Sequence, residues 1–264
     1  MRQCFFRLAV WLAGCVGLKP SHLFPSPSKF FLLRKLVACL KRSAGMGIGV
    51  DVACADFKYR DLFKTQRYVG IDLDRDNLEK GLRLHARQGD VGILLNLLEL
   101  ERTPAVADVL VSTHTIASLP AAERIQGVCA LADAVMPKGT LFLNLPSESD
   151  SDDLEQAMRQ RFAKVLRLRY GNRLFMWIEN FFAYRTGSKN PLALIFIGAA
   201  SVACYLLSYL EEISLMRKGG AYTLYWCSLR QGDAVPTPVE SLQELSLLSK
   251  EEMAALMQSS KEKS

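Results

Sequence analysis

Between Gly47 and Asn144 short apolar runs alternate with stretches of helical period. The runs fall at 47–53 (GIGVDVA), 67–71 (RYVGI), 106–112 (VADVLVS) and 139–145 (GTLFLNL), and the helical stretches include 74–86 and 121–135. Continuous apolar strands separated by helices predict βαβ units on a parallel sheet covered on both faces. The pattern then changes. An acidic, Ser-rich joint from Ser147 to Asp153 leads into a helix near 152–161 and a β-like run at 162–169 (FAKVLRLR). A last strand-like run, Ala221 to Leu229, lies far downstream, with a strongly apolar block before it. From Pro236 the chain reads as a polar tail with one amphipathic helix, and no internal repeat is visible.

Composition narrows the class. With 264 residues and 50% apolar side chains the chain can bury a full core, which excludes a disordered tail, a collagen-like repeat and a small stapled scaffold. Seven cysteines form no C-x-x-C pair, and the three histidines are far apart, so neither a disulfide framework nor a zinc site is predicted. The simplest compartment is reducing and cytosol-facing. Charge is uneven: residues 1–50 hold eight Lys/Arg and no acid, while the remainder carries 25 basic against 27 acidic residues. Those cations alternate with Phe5, Phe6, Trp11, Phe30, Phe31 and Leu32, which fits an anionic membrane surface better than a nucleic acid. The alternative is a basic, solvated helix packed on its own domain.

The first chemical signal is a series of acids. Asp51 lies in the first strand, and 21 residues later the second strand, Tyr68-Val69-Gly70-Ile71-Asp72, stops at another acid. In a doubly wound sheet ligands bind at the carboxyl ends of the strands, where an acid ending the second strand can accept hydrogen bonds from both ribose hydroxyls of an adenosine cofactor. Asp90, in Gly89-Asp90-Val91, falls at the spacing of a third strand end, where a carboxylate and the apolar Val91 can grip an adenine ring. Each acid singly could instead be a helix N-cap.

These residues carry a resemblance. The stretch from Val50 to about Leu145 resembles the class I S-adenosylmethionine-dependent methyltransferases, most closely the small-molecule group whose first motif reads D-V-G-C-G-x-G-P-Y-R-x-L-F. This chain has D-V-A-C-A-D-F-K-Y-R-D-L-F at 51–63, then Y-V-G-I-D at 68–72, A-D-V-L-V-S-T at 107–113 and V-M-P-K-G-T at 135–140. The resemblance implies a Rossmann-like α/β fold, a doubly wound seven-stranded sheet whose sixth and seventh strands, here 162–169 and 221–229, are antiparallel neighbours. It implies S-adenosyl-L-methionine as cofactor, held by Asp51, Ala53, Cys54, Ala55, Tyr59, Arg60, Asp72, Leu73, Asp90, Val91, Ser112 and Thr113. His114, two residues past the fourth strand, is the best-placed general base; the alternative is a histidine that caps or packs a loop. Two departures stand out. Ala53, Ala55 and Phe57 replace the motif's three glycines, and Ile116-Ala117-Ser118 replaces the usual L-E-H. Alanine is tolerated in such a loop where φ is negative, and Phe57 is the harder replacement, expected to crowd the cofactor.

The resulting plan is a basic, apolar helical segment at 1–45, a methyltransferase-like domain at 46–172 and 219–232, an apolar insert at 173–218 and a polar tail at 233–264. Leu174 to Tyr184 has 11 residues, too few for a bilayer; Pro191 to Leu210 has 20 without a charge, enough for one crossing. If the flanking strands pair in one sheet, however, both ends of the insert must lie on the same side. Both ends are also basic, Arg185 and Lys189 before the long run and Arg217 and Lys218 after it, so charge gives no orientation. A helical hairpin dipping into one leaflet or an interfacial helix pair is expected ahead of a hydrophobic lid buried in a dimer, because Trp177, Tyr184, Tyr205 and Tyr209 suit headgroup depth and eight Lys/Arg between Arg159 and Lys189 face one acid, Glu179. Residues 5–18 read as a membrane-seeking helix; their rival reading is a lipoprotein cleavage box at Leu12-Ala13-Gly14-Cys15. The sequence thus predicts a methyltransferase peripheral or monotopic on the inner, cytoplasmic face of a membrane, with a small-molecule, lipid or glycan-intermediate acceptor and no nucleic acid. The competing class is a non-catalytic scaffold of the same fold, and a weaker third is an integral membrane component.

Overall fold

The computed structural model describes residues 25–102, 106–183, 191–213, 219–231 and 247–249. The helix expected at 5–18, the cleavage box and the helix expected in the tail lie outside the described residues. The first described helix is α1 (Pro27–Arg42). There follow β1 (Ile48–Val52), β2 (Arg67–Asp72), α2 (Arg75–Leu84), β3 (Val91–Leu94), β4 (Ala107–Thr113), a single turn α3 (Thr115–Ser118), α4 (Arg124–Asp133), β5 (Val135–Pro146), α5 (Asp152–Arg159) and β6 (Phe162–Tyr170). Then come α6 (Arg173–Ala183), α7 (Pro191–Leu207), β7 (Tyr222–Arg230) and a short β8 (Leu247–Ser249).

The strands form one sheet in the order β6-β7-β5-β4-β1-β2-β3-β8. Its centre is parallel: Val50 of β1 pairs with Val69 of β2 and Leu110 of β4, Val69 with Val91 of β3, and Leu110 with Leu141 of β5. The chain order therefore reverses between β1 and β4, and their carboxyl ends open the crevice where α/β sheets bind ligands. Val50, Val52, Ile71, Leu110, Leu141 and Leu143 are buried from both faces, as continuous apolar runs require, with Val128 and Leu131 of α4 packed into the same core. Helix starts follow local chemistry. Asp74 caps α2 by accepting from the Asn77 N–H, and Ser151 caps α5 by accepting from the Leu154 N–H. One strand was not foreseen: Leu247–Ser249, within the stretch read as a polar tail, pairs antiparallel with β3.

The chain divides into two compact units, one from residues up to Lys35 together with 168–223, the other from 36–167 and 224 onward. The first groups the beginning of α1 with the insert, which the sequence reading kept apart. Within it Phe30 and Cys204 are buried against Ile178 and Tyr205, and the Phe30 and Tyr205 rings meet edge to face at 5.8 Å. Glu211 is buried, and its carboxylate accepts from the N–H groups of Gly171 (2.9 Å) and Asn172 (3.3 Å). Among the described residues no helix is long and apolar enough to cross a membrane.

Candidate active site

The chain leaves β1 through a loop tied to β2 by its backbone. The Cys54 N–H donates to the Ile71 carbonyl (3.1 Å), and the Ala55 N–H donates to Asp72 Oδ2 (2.8 Å). The other Asp72 oxygen accepts from the Asp74 N–H (2.9 Å). This tether fixes an unusual backbone. Ala53, Ala55 and Phe57 have φ of 58°, 48° and 60°, the left-handed region that side chains resist by roughly 1–2 kcal/mol per residue. Negative φ at the alanines, the condition under which alanine is easily tolerated there, is therefore not what the structure shows. All three keep the conformation glycine would adopt.

Phe57 also corrects an expectation. Its ring is 1% exposed and meets the Tyr68 ring at 5.0 Å. It fills space left by two glycines: a Cβ on Gly70 would come within 2.5 Å of the Phe57 ring, and one on Gly81 within 2.6 Å. The side chain thus packs between β2 and α2 and does not crowd the ligand side of the loop. Cys54 is buried as well, and desolvation raises its thiol well above the ordinary range, which makes it an inert filler.

The acids separate into two groups. Asp51 is buried, accepts from the Tyr68 hydroxyl (3.1 Å) and is pushed up to about 7 chiefly by desolvation, with the Tyr68 bond opposing and the Asp72 charge adding. Asp72 is half-buried at the carboxyl end of β2. Asp90 is elsewhere. It precedes β3 instead of ending it, and in register β3 begins opposite Val69 and ends opposite Asp72. Four residues of strand, roughly 13 Å, separate Asp90 from the level of Asp72. There it pairs with Arg60, both side chains buried: Arg60 Nη2 donates to Asp90 Oδ1 at 2.9 Å, Arg60 Nε donates to Oδ2, and the Arg87 N–H adds a further bond to Oδ2. Arg60 also donates to the Phe63 carbonyl and lies over the Tyr68 ring. Buried charges demand this mutual satisfaction, so Arg60 and Asp90 are structural and leave the cofactor set, together with Val91 at the same end of β3.

In Asp90's place the carboxyl end of β3 presents Leu95 and Asn96. The Leu95 N–H donates to the Asp72 carbonyl (3.1 Å), and Asn96 Oδ1 accepts from the Leu98 N–H (3.0 Å). The sequence does hold the signal: V-G-I-L after Asp90 is itself the strand. Beside Asp72, Leu73 is 67% exposed, an apolar surface at the crevice. Tyr59 is half-buried, ahead of a short 3-10 helix at Arg60–Leu62.

At the end of β4, Ser112 is fully buried with no partner for its Oγ, and Thr113 is half-buried. His114 follows in the left-handed region (φ 63°), its N–H donating to the Asn144 carbonyl (2.8 Å). Partial desolvation and the Lys58 charge lower its pKa, so the imidazole is neutral and able to accept a proton at neutral pH. Lys58 is the residue that sequence reasoning passed over. Exposed in the same loop, at the proline position of the resembled motif, it acts electrostatically on both Asp51 and His114.

No protein-family model matches the chain, and no curated protein matches it in sequence. Solved structures do. Phosphoethanolamine N-methyltransferase 2 of Haemonchus contortus, in complex with S-adenosyl-L-methionine, superposes with a TM-score of 0.51 at 14% identity, over 75% of this chain and 53% of that one. The present chain thus spans about half of that enzyme's length. MccD protein superposes with a TM-score of 0.50 at 10% identity, over 78% of this chain and 99% of that one. The N-methyltransferase NodS of Bradyrhizobium japonicum WM9, in complex with S-adenosyl-L-homocysteine, gives 0.49 at 11% identity, over 76% and 85%. Strand order and likeness agree: this chain has the fold of the class I S-adenosylmethionine-dependent methyltransferases.

Proposed function

We propose that the protein is an S-adenosylmethionine-dependent methyltransferase acting at the cytoplasmic face of a membrane on a small-molecule, lipid or glycan-intermediate acceptor. The observation that carries the reading is the loop after β1, where three side-chain-bearing residues hold left-handed backbone against the Asp72 carboxylate. Strain of this kind persists where the surroundings over-determine it, and it clusters at ligand sites. The membrane location is supported by the basic, apolar first fifty residues and by the exposed apolar helices of the insert.

The residues present fit the cofactor. Each Asp72 oxygen has accepted one backbone N–H, and a carboxylate oxygen has two lone pairs, so one on each remains for the paired ribose hydroxyls. The unpartnered Ser112 Oγ offers a hydrogen bond to a polar group lodged at the end of β4. When bound, the cofactor supplies an electrophilic methyl group. The chain's own part is to hold and align: the loop and Asp72 fix the nucleoside, Leu73 and Asn96 flank the base side, and the end of β4 orients the acceptor. His114 takes the acceptor's proton at a ring nitrogen; partial desolvation, with the Lys58 charge adding, favours the neutral imidazole that this needs. The L-E-H replacement at Ile116-Ala117-Ser118 favours the competing scaffold reading.

Incubation with S-adenosylmethionine carrying a labelled methyl group and with membrane lipid and glycan extracts separates the two. Label is expected in an extract component, lost in Asp72→Ala and reduced about 10²-fold in His114→Ala at unchanged affinity for S-adenosylhomocysteine. Tight cofactor binding with no transfer to any component would establish the scaffold instead.

A further inference from the structure

The first unit exposes large apolar side chains on one side of α6. Leu174, Trp177 and Phe181 are 55%, 65% and 41% exposed, at spacings of three and four that place them on one face of the helix. The Trp177 and Phe181 rings stack at 5.8 Å. Phe175 and Phe182, on the opposite face, are buried. The exposed face also carries Arg173 and Asn180 and no acid. In the same unit α7 continues the theme, with exposed Phe196, Ala199, Ala203 and Leu206 at spacings of three and four and without a charge; Phe196 packs on Phe182 at 5.7 Å between ring centres.

Electrostatics selects the occupant of this face. Between Leu168 and Thr223 the sequence has three acids, Glu179, Glu211 and Glu212, against six Lys/Arg. Every acid is engaged inside the unit. Glu179 accepts from the Ser26 hydroxyl (2.6 Å) and the Ser28 N–H (3.2 Å); Glu211 is buried on the Gly171 and Asn172 N–H groups; Glu212 pairs with Arg34 (3.0 Å) and Lys35 (2.7 Å). An apolar face that carries Arg173 and no acid, in a stretch of sequence where Lys/Arg outnumber Asp/Glu and each Glu already has a partner, complements an anionic lipid surface, and an exposed Trp suits headgroup depth. Length fixes the mode: 11 residues make a helix of about 16 Å, too short to span and suited to lying in the plane of the headgroups.

We propose that α6 is an interfacial anchor, Leu174, Trp177 and Phe181 entering the outer acyl region of an anionic bilayer while Arg173 reaches the lipid phosphates. This rests on the membrane part of the reading above and is independent of catalysis. The test uses the full chain with Trp11→Phe and Trp226→Phe, leaving Trp177 as sole emitter, and vesicles of phosphatidylcholine with or without phosphatidylglycerol. Phosphatidylglycerol vesicles should shift Trp177 emission to the blue and allow quenching by brominated acyl chains, with weaker binding at high salt. Trp177→Ser with Phe181→Ser should reduce vesicle flotation at least tenfold and leave S-adenosylhomocysteine affinity unchanged. Unaltered Trp177 emission with vesicles would overturn the proposal, as would full flotation of the double variant, which would assign attachment to another segment. A lipid-free dimer that the double variant dissolves would overturn it in favour of a second copy on this face. Loss of S-adenosylhomocysteine binding in the parent protein would contradict the methyltransferase reading and leave the anchor standing.

Discussion

The loop after β1 and helix α6 both break local rules, and they resolve the breach differently. In the loop, side chains stand where glycine belongs, yet the cost is met inside the fold: Gly70 and Gly81 make room for the Phe57 ring, and Asp72 holds the backbone in place. On α6, Trp177 and Phe181 stack on each other at the surface, 65% and 41% exposed. A deviation compensated internally marks a backbone conformation that the surrounding fold holds in place. One left uncompensated points to a surface completed by a partner.

Internal compensation implies large stability effects with small binding effects. Asp90→Ala should be the most damaging change, about 3–5 kcal/mol in denaturant unfolding, because it strands the Arg60 charge in the interior. Among the variants that stay folded at low temperature, S-adenosylhomocysteine affinity should be near that of the parent; a selective loss of affinity would return Asp90 to the cofactor site. Phe57→Gly comes next. Removal of a buried ring costs about 3–5 kcal/mol and the relief of left-handed strain returns about 1–2, so a net loss of roughly 1–4 kcal/mol is expected. A stabilised Phe57→Gly would show that the ring is strained in place. Ala53→Gly and Ala55→Gly should move the other way, each raising stability by up to about 1 kcal/mol at the melting midpoint, since they lose one methyl and release the same strain.

Much of the fold was legible because burial on both faces writes strands as unbroken apolar runs: V-D-V at β1, Y-V-G-I-D at β2 and V-L-V-S-T at β4 appear where read. The errors came from register and from the third dimension. Gly89-Asp90 looked like a strand end because it falls at the spacing of a third one, whereas Asp90 immediately precedes β3 and is committed to Arg60, thirty residues away in sequence. Phe57 looked like an obstruction because nothing local says that Gly70 and Gly81 leave its cavity. Lys58 escaped notice since its effect is purely electrostatic, through space to Asp51 and His114. The pairing of Leu247–Ser249 with β3 was invisible because three residues in a polar stretch carry no periodicity.

The most direct measurement is a calorimetric titration of S-adenosylhomocysteine into the full chain and into Asp72→Ala. The parent should bind, and the variant, folded by circular dichroism, should bind more weakly by about 1.5–3 kcal/mol, the range for hydrogen bonds to a charged group. No heat of binding in the parent, or equal affinity in the two proteins, would contradict the assignment of this crevice as a methyl-donor site.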